Sequence, residues 1–218
     1  MTDVVLNSRE PMNKSGLPCD QSGFTLTELL ISTLILFIAS AAIFSVLAEI
    51  QHTAGYQAEI QSVLNNTQIA MQIVQRYLRQ AGNDPLGCGV VGITIVGPEE
   101  MRIQSDLTGS AGPGNPDKGD PDGDTGDSAE NIAIRYNSNT RSLEVVPVQG
   151  AAQIIAGNIS GVTFSYYDAS GNAAATGAEV RTVGISISGT SLQQNPRTHQ
   201  VFGVQLNSAI QVPSSQRI

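Results

Sequence analysis

Histidine and cysteine are scarce in this chain, two of each in 218 residues, and neither type clusters at the spacing that a zinc or haem site needs. The Gly-x-Ser-x-Gly elbow of a serine hydrolase is missing as well. His52 and His199 therefore read as polar surface residues rather than as a base or a ligand, and the protein is not expected to be an enzyme. Positive charge is also short: 11 Lys and Arg against 19 Asp and Glu give a net charge of -8. Phosphate binding needs clustered cations, so nucleic acid is not an expected partner. Residues 1–23 contain no apolar core, which excludes a conventional secretory signal, whose removed part is itself apolar. No proline interrupts Phe24 to Ala81, so the ring that would break a helix is missing from that whole stretch.

What the chain does have is an apolar run from Phe24 to Leu47, long enough at about 1.5 Å per residue to cross a bilayer once. Arg9 and Lys14 lie before it, and no Lys or Arg follows Leu47 until Arg76. That asymmetry predicts a cytoplasmic N-terminus, with the remainder in the periplasm or outside the cell. Within the run sits one carboxylate, Glu28, in the string Gly23-Phe24-Thr25-Leu26-Thr27-Glu28-Leu29-Leu30. An ionisable group in a membrane helix is expensive unless it snorkels or finds a partner. Cleavage after Gly23 would create an amine on Phe24, four residues before Glu28, and supply the counter-charge.

This string resembles the prepilin cleavage and methylation motif of type IV pilins and type II secretion pseudopilins, with Thr27 where an aliphatic residue is more usual. The resemblance implies a leader over 1–23, processing by prepilin peptidase at Gly23 and Phe24, N-methylation of Phe24, and an assembly role for Glu28. It also implies an inner-membrane location before assembly, with lipid, an assembly platform and other major and minor pilins as partners. The leader is less basic than in the family, and Met12 as an alternative start to Met1 would leave Lys14 as its only basic side chain. Removal of the leader would take Cys19 with it. Cys19 has no apolar stretch before it to make a lipoprotein signal, and Cys88 would remain as a small core residue or, in an oxidising compartment, an intersubunit bridge.

Beyond the membrane run, Tyr56, Ile60, Val63, Thr67, Ala70, Val74 and Leu78 follow helical spacing, with Gln51, Gln57, Gln61, Asn65 and Gln75 among the residues between them. One amphipathic continuation of the same helix over 48–84 follows, stopped at Gly82-Asn83-Asp84-Pro85. Ala39-Ser40-Ala41-Ala42 offers small side chains where neighbouring helices can approach. From residue 85 to 218 short alternating segments replace the helical period. Strands are expected at Val90–Val96, Met101–Gln104, Asn131–Tyr136, Ser142–Val148, Ile159–Tyr167, Val180–Ser188 and Val201–Asn207. The fold class is therefore α+β, a pilin-like long helix packed on an antiparallel sheet. Arg79 to Pro85 and Ile159 to Asp168 with Gly171 resemble PilW-type minor pilins and the related J-type pseudopilins.

Between residues 109 and 131 the chain is rich in Gly, Pro and Asp. Asp117, Asp120, Asp122, Asp124, Asp127 and Glu130 face only Lys118 there, so they are either solvated or bridged by a hard cation. Asp120-Pro121-Asp122-Gly123-Asp124 begins like an EF-hand loop, but Thr125 stands where that loop needs glycine, and Glu130 falls one position early. If calcium binds, Asp120, Asp122, Asp124, Asp127 and Glu130 are its expected ligands. The favoured function is a minor pilin in type IV pilus assembly or priming. A type II secretion minor pseudopilin and a filament-borne module for calcium-dependent adhesion or DNA uptake are the alternatives.

Overall fold

The computed structural model describes residues 23–109, 120–127 and 129–212. The leader before Gly23, the choice between Met1 and Met12, Cys19, Asp117 and Lys118 lie outside the described residues. One helix, α1, runs over Leu26–Gln80, 55 residues without a break. The chain divides into two compact units, Met1–Ala48 and Glu49–Ile218, and α1 contributes to both.

Among the described residues of the first unit the large apolar side chains, Phe24, Leu30, Ile35, Phe37 and Phe44 among them, are all exposed. α1 is long and apolar enough to cross a membrane, with mean hydropathy 2.5 over its most apolar window and none of that window buried. A helix apolar all round needs lipid or other helices as its solvent. The polar groups are compatible with that setting. Thr33 Oγ1 donates to the Leu30 carbonyl at 2.9 Å and Ser40 Oγ to that of Leu36 at 2.8 Å, so neither hydroxyl proton is left without an acceptor in hydrocarbon.

In the second unit α1 becomes one-sided. Tyr56, Val63, Thr67, Ala70, Met71, Val74 and Leu78 are buried, which matches the expected stripe except that Ile60 is half-buried and Met71, which was not expected, joins it. The helix stops as expected, with Gly82 taking the left-handed conformation at φ 67°, which glycine adopts without the Cβ clash. Among the described residues eight strands follow: β1 Ile93–Ile95, β2 Glu100–Gln104, β3 Asn131–Asn137, β4 Ser142–Pro147, β5 Gln153–Ala156, β6 Ile159–Tyr167, β7 Thr182–Gln194 and β8 Val201–Gln211.

Seven of these fall on the expected segments. The eighth, β5, was not anticipated: it has four residues, and only Ala156 is buried, too little alternation to mark a strand. The strands also form two antiparallel sheets rather than one, β1-β2-β3-β4-β5 and β6-β7-β8. Buried side chains from α1 and from both sheets make one core, including Leu78, Met101, Ile134, Leu143, Phe164 and Ile187. Strand register puts the two alternating faces read from sequence directly opposite each other, Val162 with Ile187, Phe164 with Ile185 and Tyr166 with Val183. Such facing pairs are the stabilising unit of a sheet.

The approach of α1 to β7 depends on one missing side chain. A Cβ on Gly189 would lie 2.4 Å from Thr67 Oγ1 and 3.0 Å from Val63 Cγ1, closer than packed atoms allow. Farther along, the Glu59 carboxylate accepts the backbone N–H groups of Leu192 and Gln193, tying the end of β7 to the helix. Arg197 pairs with Glu49 at 3.3 Å, but both are well exposed, and such pairs contribute about 1 kcal/mol at most.

Cys88 corrects the sequence reading: it is exposed, not a core residue. Its loop is wound around Asp84, whose carboxylate accepts the N–H groups of Cys88, Gly89 and Val90 at 2.9, 2.7 and 3.1 Å. Those bonds, the one from Cys88 foremost, hold the Asp84 carboxyl below its ordinary pKa. The backbone requirement of that turn, not apolar packing, fixes where Cys88 lies.

Candidate functional site

Gly23, Phe24 and Thr25 precede the first helical residue and are exposed. Gly23 has open space where a side chain would stand, and Phe24 is 86% exposed. The Gly23–Phe24 bond therefore sits in non-helical chain just ahead of α1, where a peptidase can reach it without unwinding a turn.

The following residues start the helix by a reciprocal device. Thr25 Oγ1 accepts the Glu28 N–H at 3.3 Å, while Glu28 Oε2 accepts the Thr25 N–H at 3.0 Å and the Thr25 hydroxyl at 2.8 Å. This is a capping box, which satisfies two N–H groups that a helix start leaves without partners. Sequence reasoning gave Glu28 only the role of counter-charge. The signal for its second role was present, since Thr25-Leu26-Thr27-Glu28 fits the Thr-x-x-Glu spacing. A carboxylate here also lies at the positive end of the helix dipole.

A family model described as a prokaryotic N-terminal methylation motif matches residues 19–44. The chain has a prepilin-type N-terminus. The match takes in Gly23, Phe24 and Glu28, and it supports a type IV pilin- or pseudopilin-type protein that is processed by prepilin peptidase and assembles with other pilins. Together with the apolar half of α1, the prepilin motif fits anchoring in the inner membrane before assembly. A search of curated proteins finds no match to this chain.

The five expected calcium ligands do not behave as one set. Asp120, Asp122 and Asp124 are exposed, Asp127 is half-buried and Glu130 is buried. Two of the exposed carboxylates shape the local turn: Asp122 Oδ1 accepts the Asp124 N–H at 3.2 Å and Asp124 Oδ1 that of Gly126 at 2.7 Å. Among the described residues no three His, Cys, Asp or Glu side chains form a group able to hold a metal. Glu130 turns away from the run, its Oε1 accepting the N–H groups of Leu107 and Thr108, both at 2.7 Å.

That places Glu130 beside Asp106, a residue the sequence reading passed over. Asp106 is fully buried, and its Oδ2 accepts the Gly123 N–H from the acidic loop at 3.0 Å. Its backbone is tied in both directions to the end of the helix: the Asp106 N–H donates to the Asn83 carbonyl at 2.8 Å, and Asn83 Nδ2 donates to the Asp106 carbonyl at 3.0 Å.

Elsewhere the buried charge is fully engaged. Glu144 on β4 faces Arg135 on β3, with Arg135 Nε and Nη2 each 3.0 Å from Oε2 and Asn137 Nδ2 2.7 Å from Oε1. Burial pushes the Glu144 pKa up, but the bonds from Asn137 and Arg135 outweigh it and hold the carboxyl below its ordinary value. This pair braces the sheet and touches neither the N-terminal motif nor the acidic loop.

Proposed function

We propose that this chain is a minor pilin of the PilW type, taking part in type IV pilus assembly or priming. Its methylation motif is the observation that carries the reading. Prepilin peptidase cuts after Gly23, Phe24 is N-methylated, and the mature chain begins one residue before the Thr25 cap. The bonds to Thr25 use Glu28 Oε2, so Oε1 is open to the new Phe24 amine or to the amine of a neighbouring subunit. With the N-terminus cytoplasmic and the sheets periplasmic, the exposed apolar half of α1 leaves lipid for a bundle of like helices as the filament grows. An unbroken helix suits repeated head-to-tail contacts that do not close, the kind that generate filaments.

The same motif serves type II secretion pseudopilins, so a minor pseudopilin of the J type is the second reading. Deleting the gene distinguishes them. The pilin reading expects surface pili to be lost or strongly reduced, counted by electron microscopy, with enzyme secretion intact; intact pili with lost secretion would transfer the protein to the secretion system.

A further inference from the structure

The apolar run of α1 ends at Leu47, and Glu49, two residues on, is the first charged side chain after Glu28. Two residues of chain span about 7 Å at most, and the polar layer on each side of a bilayer's hydrocarbon core is about 5–8 Å deep. Glu49 is therefore held at headgroup level by covalent reach alone. In sequence no Lys or Arg follows Leu47 until Arg76, but the fold brings a cation back: Arg197 Nε lies 3.3 Å from Glu49 Oε1. Arg197 sits in the tip between β7 and β8, which is fixed by its own bonds. The Asn195 N–H donates to the Gln200 carbonyl at 2.8 Å and the His199 N–H to the Asn195 carbonyl at 2.9 Å. Asn195 Oδ1 accepts the Arg197 and Thr198 N–H groups at 2.9 and 3.1 Å. Glu59 grips the end of β7 about 15 Å farther along α1 than Glu49, so the hairpin runs along the helix toward its membrane end.

We propose that the β7–β8 tip is a membrane-surface contact, in which Arg197 binds the phosphate of a lipid headgroup beside the point where α1 leaves the bilayer. The inference rests on anchoring by α1 and not on the choice between pilin and pseudopilin. Arginine carries five N–H donors in a planar fork that matches phosphate oxygens. Arg197 uses Nε toward Glu49, whereas Nη1 and Nη2 have no partner among the described residues, and its side chain is 80% exposed. Glu49 thus holds the guanidinium by one edge and leaves the Nη donors for a charge-assisted bond to phosphate. The tip, residues 195–200, contains no carboxylate to repel an anion, and Thr198 and His199 beside Arg197 are exposed as well. Breaking this contact is then part of the work of drawing α1 out of lipid.

The test uses the full chain, with Cys19→Ser and Cys88→Ser to remove its thiols, in vesicles of phosphatidylethanolamine and phosphatidylglycerol. Thr198→Cys, Ser170→Cys and Leu36→Cys, one at a time, carry a fluorophore that lipids spin-labelled on the headgroup or on the acyl chain can quench. Ser170 follows β6 at the opposite end of β7 from the tip, and β7 has 13 residues, about 40 Å of strand. Headgroup quenching is expected to be several-fold stronger at Thr198 than at Ser170. Arg197→Gln is expected to lower the docked-to-free ratio at Thr198 about fivefold, the effect of one arginine at an anionic surface. Acyl-chain quenching at Leu36 reports anchoring separately. Equal headgroup quenching at Thr198 and Ser170, or no change in Arg197→Gln, with Leu36 still quenched, would overturn the contact while α1 stays anchored. An unquenched Leu36 would overturn the anchoring and the contact with it. Sodium phosphate should loosen the contact no more than sodium chloride of equal ionic strength; a larger loss would make this a site for the free ion and overturn the lipid assignment.

Discussion

Glu28→Ala should leave the precursor cleavable after Gly23 yet reduce incorporation of the mature chain into filaments by roughly ten- to a hundredfold. The estimate follows from an uncompensated charge in a membrane or helix bundle, about 2.5–3.5 kcal/mol at a helix centre and less toward its end, at 1.4 kcal/mol per factor of ten. Alanine alone cannot separate the two roles of Glu28, because it removes both the counter-charge and the reciprocal bonds to Thr25. Glu28→Gln separates them. Glutamine closes a capping box as glutamate does, but it offers no charge to the Phe24 amine. If charge pairing drives assembly, Gln fails nearly as badly as Ala. Helix capping, at about 1 kcal/mol, would instead be restored by Gln. The quantity to compare is the ratio of chain in sheared filaments to chain in the membrane fraction, with cleavage scored separately by mass.

Leu78→Ala should destabilise the folded unit Glu49–Ile218 by about 2–5 kcal/mol, the range for emptying a fully packed leucine site. Leu78 is completely buried near the end of α1 and belongs to the core that gathers both sheets. The cavity would open where helix and sheet residues meet. Total stability of a domain is on the order of 5–15 kcal/mol, so this single change should take a large share. Urea unfolding followed by circular dichroism in micelles reads the shift in midpoint. Ile154→Ala is the control, since Ile154 on β5 is 63% exposed, and its midpoint should barely move.

Much of this fold is written in local patterns. The helical face from Tyr56 to Leu78 repeats often enough to define one buried stripe, and its burial in the structure follows that repeat apart from Ile60. Period-two alternation at Val162, Phe164 and Tyr166, and again at Val183, Ile185 and Ile187, is equally local, and the register simply brings the two runs together. The division into two sheets is another matter. It depends on which strand pairs with which, a long-range choice that residue spacing does not encode. β5 was hidden because it is short and mostly exposed.

The candidate sites divide in the same way. Gly23, Phe24 and Glu28 lie within six consecutive residues, so both the processing point and the carboxylate were visible as a motif. The capping role of Glu28 is legible too, from Thr25 three residues before it. Asp106 could not be found by scanning for acidic clusters. It stands alone after β2, and only the folding of the acidic loop over it brings Gly123 to its carboxylate. Conversely, Asp120, Asp122 and Asp124 drew notice by their density, yet density on an exposed loop reflects good solvation as readily as metal binding.

Entry into the pilin pathway is written in the N-terminus of the membrane-extracted protein. Intact mass and peptide sequencing, with and without prepilin peptidase, should give a mature chain beginning at methylated Phe24 only when the peptidase is present. An N-terminus upstream of Gly23 under peptidase-competent conditions would instead make the protein a membrane-anchored domain that is never processed.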